Sequence, residues 1–544
     1  MQSARRIEHE HSTGAAVSRA GQIWPRFSRA FIVLRDPLEN HDDRGNQYIA
    51  ACVRPRAARA RKRMTVVAPA GHSISPIAPR DPALPFLAAA LDEATMAAVF
   101  GDVLHACGTT VEACRIDCIR YLPRRSCSVA YLLRLSDARG TYEQRVSVRV
   151  CGHGDSARRA EKAAARPLKA STAGPALVHL AELDMLALWW PNDARLEAPR
   201  VCADERLLHG VVLPEVLSAL DAPSCRLVAH RVDVTQYVPE TRLRVRVGLE
   251  WRAHEHSGSR QERVLFATAD HEGRGAGTHA LMRALEASEV WRAGQLRTPR
   301  SVLWQARFAL HWQEAMPGQT LLYVQPQVSA ATSAQIGMQL AALHSVAVPL
   351  ERFVTLADLK KRPHQLAALL GEVDRSWMQP LLRLALLLER DAAVAERSTP
   401  VTLHGGLHPR NVLVDAQQRV SFIELESACR GPAALDLGAW IAETLYRALL
   451  EGRTPRHATR AWQAFLAGYA AGGGEYVAEP VLAWATAFQL CQRAWRCVAN
   501  LKPGRFALTP HLIALAEAIA SARTPRAGAE EVGDRRVRLH ETTV

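Results

Sequence analysis

Between His404 and Glu426 the chain gathers side chains whose types and spacing could handle a phosphate and a cation. The stretch reads His404-Gly405-Gly406-Leu407-His408-Pro409-Arg410-Asn411-Val412-Leu413-Val414-Asp415 and, after a polar turn, Phe422-Ile423-Glu424-Leu425-Glu426. A glycine pair permits positive φ, and Pro409 stiffens the loop. Asn411 enters one short apolar strand and Glu424 leaves its partner. A hairpin would therefore set an amide oxygen beside a carboxylate, two hard oxygen ligands of the kind Mg²⁺ takes. For His404, His408 and Asn411 taken singly, a hydrogen bond inside a tight loop is the better account of the residue. The His404/His408 spacing suits zinc poorly, because the glycines break a ligand-bearing helix and no third ligand stands nearby.

The surrounding elements must hold that loop in place. Apolar residues recur at helical spacing over residues 331–346, 364–395, 433–451, 456–471, 478–500 and 509–522. The hairpin at 412–423 thus sits inside a helical half, where its ends face a cleft. Two strands, at 302–304 and 310–314, lead into Met316-Pro317-Gly318. Upstream the chain is β-rich: residues 114–122, 128–135 and 144–150 read as an antiparallel meander behind one or two helices in 82–108. A comparable pattern returns at 225–238, 243–251 and 263–267, which suggests a weak duplication of a three-stranded unit followed by a helix. The spacings differ by several residues, so convergent patterning stays open. Residues 178–190 read as core packing that ends in a Pro191-Asn192-Asp193 turn. Trp440, Trp462, Trp484 and Trp495 read as core more than as a ligand-stacking surface.

Composition narrows the function classes. The 544 residues, 48% hydrophobic, make a folded chain of three to four units. The net charge of +14 is uneven, with half of the excess in the first 64 residues, and six of the 68 basic residues are Lys. Aromatics do not interleave with the arginines, which argues against nucleic acid as a partner. Eleven cysteines without a Cys-x-x-Cys pair fit reduced thiols in a cytoplasmic protein. No stretch approaches the apolar length of a membrane span. The expected organisation is a disordered basic leader at 1–63, an N-terminal α+β subdomain at 64–222, a β-rich lobe with hinge at 223–320, a helical lobe at 321–522 and a disordered tail at 523–544. Met64 is a second candidate for the start of translation.

The order His-Gly-x-x-His-x-x-Asn, hairpin, Ile423-Glu424-x-Glu426, then Gly431-Pro432-Ala433-Ala434-Leu435-Asp436-Leu437-Gly438 resembles the aminoglycoside phosphotransferase family, which shares the protein-kinase-like fold with choline and homoserine kinases. Gln313-Glu314-Ala315-Met316-Pro317-Gly318 resembles the family's interlobe hinge, and Leu340-Ala341-Ala342-Leu343-His344 resembles its Leu-Ala-x-Leu-His helix. The likeness spans roughly residues 223–520 and is strong over 400–440. It implies an α+β fold of two lobes, antiparallel β and helical, preceded here by an extra α/β segment that a duplication would make a second β lobe. It also implies ATP and Mg²⁺ in the cleft, with γ-phosphoryl transfer to the hydroxyl of a small-molecule substrate. By position, Asn411 matches the metal-binding Asn, and Glu424 stands where the family has a metal-binding Asp. Asp436 matches the Asp that braces the catalytic loop, in which His404 and His408 lie. The backbone at Gln313, Glu314 and Ala315 would hydrogen-bond adenine.

Several positions depart from that pattern. Gly406 replaces the Asp that orients or deprotonates the acceptor, a loss of about 10² to 10⁴ in rate from general-base catalysis alone. Glu424 adds a methylene to a ligand of an ion that demands strict octahedral geometry. The phosphate-binding Lys of the third strand is missing: Arg149 takes the place in the first meander and Ala267 in the second. Arg149 could contact phosphate with a planar fork in place of a point charge, or it could be structural. Pro123-Arg124-Arg125-Ser126 and Pro239-Glu240-Thr241-Arg242 stand where a Gly-rich loop would be. Together these departures point to an impaired pseudokinase that binds a nucleotide or small molecule, or docks a protein partner. The alternative is an active phosphotransferase in which Glu426 or a water replaces the lost base.

Overall fold

The computed structural model describes residues 79–220, 225–253, 260–324, 328–348, 350–396, 399–453 and 458–522. The expectations for the basic leader, for Met64 and for the 523–544 tail lie outside the described residues.

The first sheet joins β1 (Thr110–Leu122), β2 (Ser126–Asp137), β3 (Gly140–Val150), β4 (Leu177–Leu180) and β5 (Met185–Trp189) in the order β1-β2-β3-β5-β4. Alternation decides which face is buried: Val129, Tyr131, Leu133 and Leu135 of β2 point into one core with Val146, Val148 and Val150 of β3. The second sheet repeats this order. It joins β6 (Cys225–Val238), β7 (Arg242–Ala253), β8 (Gln261–Asp270), β9 (Ser301–Gln305) and β10 (Leu310–Glu314) as β6-β7-β8-β10-β9.

The repetition reaches the details. Each third strand is followed by a helix, Asp155–Ala164 or Gly275–Glu286. Each fourth strand runs through a 3₁₀ turn and one left-handed residue, Asp184 or Ala309, into the fifth. In each copy a Tyr near the end of the first strand donates to an Asp that also accepts a turn N–H three residues on from the Tyr. Tyr121 Oη lies 2.9 Å and Arg124 N 2.7 Å from Asp81 Oδ2. Tyr237 Oη lies 2.7 Å and Glu240 N 2.9 Å from Asp193 Oδ2. The duplicated unit is thus a whole five-stranded lobe with its leading helices, larger than the three strands legible in sequence. Residues 178–190, read as core packing, are its fourth and fifth strands. Leu196, Val201, Leu208, Val212 and Val216 pack with the second sheet, so the leading helices of 198–219 share that core.

The helical lobe contains Ala330–Ser345, Leu356–Gly371, Met378–Glu396, Ala434–Leu450, Thr459–Ala471, Glu479–Ala499 and Thr509–Ser521. The single helix expected over 364–395 is two. The first stops at Gly371, and Asp374 caps the turn that opens the next by accepting from Ser376 N at 2.8 Å. Gly371 lies against the end of the Met378 side chain: a Cβ there would stand 2.2 Å from Cε, so a larger residue would make that side chain shift. Trp440, Trp462 and Trp484 are fully buried core residues. A small sheet, β11 (Gln319–Thr320), β13 (Val412–Val414) and β14 (Val420–Phe422), ties the segment after the hinge to the hairpin, and β12 (Pro400–Leu403) pairs with β15 (Cys429–Pro432) behind it. Gly318, at φ +112, brings its chain so near Val414 O that a Cβ would sit 2.6 Å away.

Candidate functional site

The loop from His404 to Asn411 is fixed by one buried carboxylate. Asp436, near the start of helix Ala434–Leu450, accepts from His404 N at 2.6 Å and Gly405 N at 3.0 Å. His344 Nε2 is 3.2 Å from its Oδ2, and His344 Nδ1 lies 2.9 Å from Tyr469 Oη. Burial opposes its charge, but the His344 hydrogen bond and the loop N–H groups outweigh that and hold its carboxyl below the ordinary range. Gly405 carries the tight step at φ +70, where a Cβ would meet Ser427 O at 2.1 Å.

Beyond the loop the hairpin forms as expected, with Val412 opposite Phe422 and Ile423 N donating to Asn411 O at 3.0 Å. Asn411 and Glu424 therefore leave the same end of the hairpin. Their side chains then turn to different partners. Asn411 Nδ2 donates to Gly406 O at 2.9 Å. Glu424, in the left-handed region at φ 66, accepts from Arg242 at 2.8 Å and makes a close ion pair with Arg244.

Both arginines come from β7 of the second sheet. Its inner residues Leu243, Val245 and Val247 are buried in that lobe's core, so strand alternation turns Arg242 and Arg244 toward the helical lobe. Arg244 uses its whole fork: Glu424, Glu426 at 2.9 Å, and Thr268 Oγ1 of β8 at 3.2 Å. Glu426 is almost entirely enclosed, with 3% of its side chain exposed. Burial alone would raise its pKa, yet the Arg244 and Arg242 guanidiniums more than offset that and keep it below the usual range. The four side chains form a neutral quartet across the seam between the lobes. Sequence reading left out Arg244. Its available signal was the alternation Arg242-Leu243-Arg244-Val245-Arg246, a charged face on a strand whose other face is core.

The Mg²⁺ pair does not fit as arranged. Both Glu424 oxygens serve guanidiniums, Asn411 is committed to Gly406, and no cluster of three or more His, Cys, Asp or Glu able to hold a metal occurs among the described residues. A dication there would also face two guanidiniums. At the hinge, Glu314 N and Ala315 N donate within the lobe to Arg300 O and Val264 O, and Gln313 pairs with Phe266 and Ser301. A purine would have to use other groups of that backbone.

Arg149 is not part of this cleft. It lies on β3 of the first sheet, where its Nη1 meets Glu240 at 2.5 Å and joins the two sheets. In the second sheet the residue in that register is Thr268, opposite Arg244, while Ala267 faces the core. His404 is fully enclosed, and burial lowers its pKa. His408 borders a cavity of the helical lobe, where burial and then Arg496 and Arg493 push it down to about 3.

The β lobe over a helical lobe, the braced loop and the hairpin at their seam define a protein-kinase-like fold. Residues 260–484 match the family model of the phosphotransferase enzyme family, in line with the resemblance read from residues 404–438. Among solved structures, a macrolide 2'-phosphotransferase from Brachybacterium faecium is similar at 19% identity and TM-score 0.35, over 57% of this chain and 98% of its own. Choline kinase LicA from Streptococcus pneumoniae is similar at 12% identity and TM-score 0.38, again over 57% of this chain and 98% of its own. No curated protein matches the chain. Among the described residues no helix is long and apolar enough to cross a membrane.

Proposed function

We propose that the protein is a catalytically impaired member of the phosphotransferase family, a cytoplasmic pseudokinase that binds a small molecule or nucleotide without transferring phosphate. One observation carries this reading: Glu424, which stands where the resemblance would put a metal ligand, is held with Glu426 by Arg242 and Arg244 from the opposite lobe. The seam where ATP and its metal would work is closed by internal charge pairing, and Gly406 offers no carboxylate to an acceptor. The ten cysteines of the described residues are all free, which supports a reducing compartment.

A second reading has its own support. The Asp436 brace and its His344 partner are intact, so an active enzyme would need only to open the quartet and recruit a base. Thermal shift with ATP and Mg²⁺, run beside an ADP-release assay, separates the two, because a ligand that binds the folded state raises its melting temperature. Impairment predicts no ADP release above background. Steady release that saturates with ATP would overturn it.

A further inference from the structure

Beneath the loop, the helical lobe forms an open cavity of about 390 Å³ that reaches Gly405, Gly406, His408 and Ser427. Two helices line it with matching stripes. Asp358, Lys361, Arg362 and Gln365 stand at i, i+3, i+4 and i+7 on helix Leu356–Gly371, and Gln489, Gln492, Arg493 and Arg496 repeat that spacing on helix Glu479–Ala499. Each helix thus turns one polar face to the cavity. Arg362, Gln489, Gln492 and Arg493 are half-buried at its base while Asp358, Lys361, Gln365 and Arg496 reach solvent at its mouth, so the stripes form a polar-walled cleft suited to a polar occupant.

The charges in the cavity are unmatched. With Arg352, five basic side chains line it against the three acids Asp358, Asp436 and Glu443. Every one of those acids is engaged. Asp436 braces the loop, Glu443 pairs with Arg493, and Asp358 closes a capping box with Thr355. Among the cations, Arg362 finds the neutral Gln492 oxygen at 3.2 Å, while Arg496, Lys361 and Arg352 make no salt bridge among the described residues, Lys361 and Arg352 feeling Asp358 and Glu272 only at longer range. Crowding shows in the titration of neighbouring groups: burial first and then Arg496 bring Arg493 down to about 9. The carboxylate that could have offset this charge at the loop is the one replaced by Gly406.

We propose that this cavity binds a small anionic ligand, a molecule bearing a phosphate or carboxylate group, and excludes cationic amines. Guanidinium forks on two facing helices suit an oxyanion, which they can grip with paired hydrogen bonds. The proposal rests on the reading of the 404–436 loop as the remnant of a phosphotransferase site, with the ligand lying on its acceptor side.

The test is isothermal titration of the full chain in phosphate-free, low-salt buffer with glycerol 3-phosphate, malate and choline as probes. At least one anion should bind and choline should give no heat, and the stronger anion tells phosphate from carboxylate. Arg496→Gln should weaken the anion by about tenfold, and adding Lys361→Gln should weaken it further. Neither residue has an ion-pair partner to lose, and the exposed Lys361→Gln alone carries the test if the first variant melts early. No heat from either anion, tighter binding of choline, or anion binding unchanged in both variants would overturn the proposal. ATP turnover measured on the same preparation keeps the two readings apart. Turnover with anion binding removes the impaired-enzyme reading and leaves the anionic cavity, whereas choline binding without turnover does the reverse.

Discussion

Replacing Arg244 by methionine would take one guanidinium from the interlobe quartet and leave two carboxylates behind. Arg244 bonds Glu424, Glu426 and Thr268 at once, and Glu426 has 3% of its side chain exposed. Removing one partner of such a buried pair costs about 3–5 kcal/mol, mostly from the charge left without compensation. Arg242 remains, 2.8 Å from Glu424 but 4.0 Å from Glu426, so the lower end of that range, about 3 kcal/mol, is expected. The double variant Arg244→Met/Glu426→Met removes both charges and should recover most of the loss, since apolar replacements of buried pairs are often near neutral. Urea unfolding at pH 7 of the parent, both single variants and the double variant gives the coupling energy directly. The pH dependence has a fixed sign. Glu426 titrates below its unfolded value, so its contribution is present above the ordinary carboxyl range and fades as pH falls through the folded pKa. The gap between parent and Arg244→Met should therefore narrow below about pH 4. A single-variant cost under about 1 kcal/mol, or a double variant as unstable as Arg244→Met, would refute the account of the seam.

Two other perturbations probe the site and its surroundings. Gly406 has ordinary backbone geometry, and a Cβ there would meet nothing nearer than Asn411 Nδ2 at 3.7 Å, so Gly406→Asp should fold like the parent. With Glu424 still held by two arginines it should not restore ATP turnover, and a gain of about 10² or more in ADP release would show that the quartet does not close the cleft. His311 and His408 have folded pKa values pushed down to about 4 and about 3, chiefly by burial, so the unfolded chain takes up protons before the folded one as pH drops below about 6.5. Stability should therefore fall between pH 7 and pH 5 by about 2 kcal/mol per imidazole, read from urea midpoints. His408→Gln should remove about half of that slope, and a variant with an unchanged slope would contradict the placement of His408.

The parts of this protein that were legible in sequence are those fixed by local rules. The hairpin at Val412 and Phe422, the helices of the second half and the Asp436 loop all follow from periodicity and from short motifs whose partners lie within about thirty residues. The quartet was not legible because Arg244 and Glu426 are 182 positions apart, and no local pattern states which distant strand will cover a hairpin end. The cavity stripes escaped for a different reason. A polar face at helical spacing ordinarily reads as facing bulk solvent, and only the packing of Leu356–Gly371 beside Glu479–Ala499 sets two such faces across one cleft. The duplication was seen in part, since its three long strands alternate clearly while β4 and β5, with four and five residues, are too short to show a period.

The duplication also explains why neither lobe keeps a strand lysine. Counting from the conserved geometry of Tyr121 and Tyr237, Ser128 of the first copy corresponds to Arg244 of the second, and their partners across the next strand are Arg149 and Thr268. Each copy therefore holds one arginine and one hydroxyl at the same pair of positions, with the two types exchanged between strands. Each arginine reaches a glutamate of the next layer: Arg149 meets Glu240 of the second lobe, and Arg244 meets Glu426 of the helical lobe. A lysine there would give a single mobile point charge, whereas a guanidinium can hold several fixed acceptors at once. The underside of a β lobe, a surface that could face phosphate, has in both copies become a docking face. The first lobe meets the second, and the second the helices, through the same kind of ionic contact, while the first lobe also touches the helices directly through Arg124 and Glu372. On the proposed reading, absence of a phosphate contact and stacking of the lobes would be one substitution pattern, with Arg149–Glu240 and Arg244–Glu426 as the contacts that bind each layer to the next.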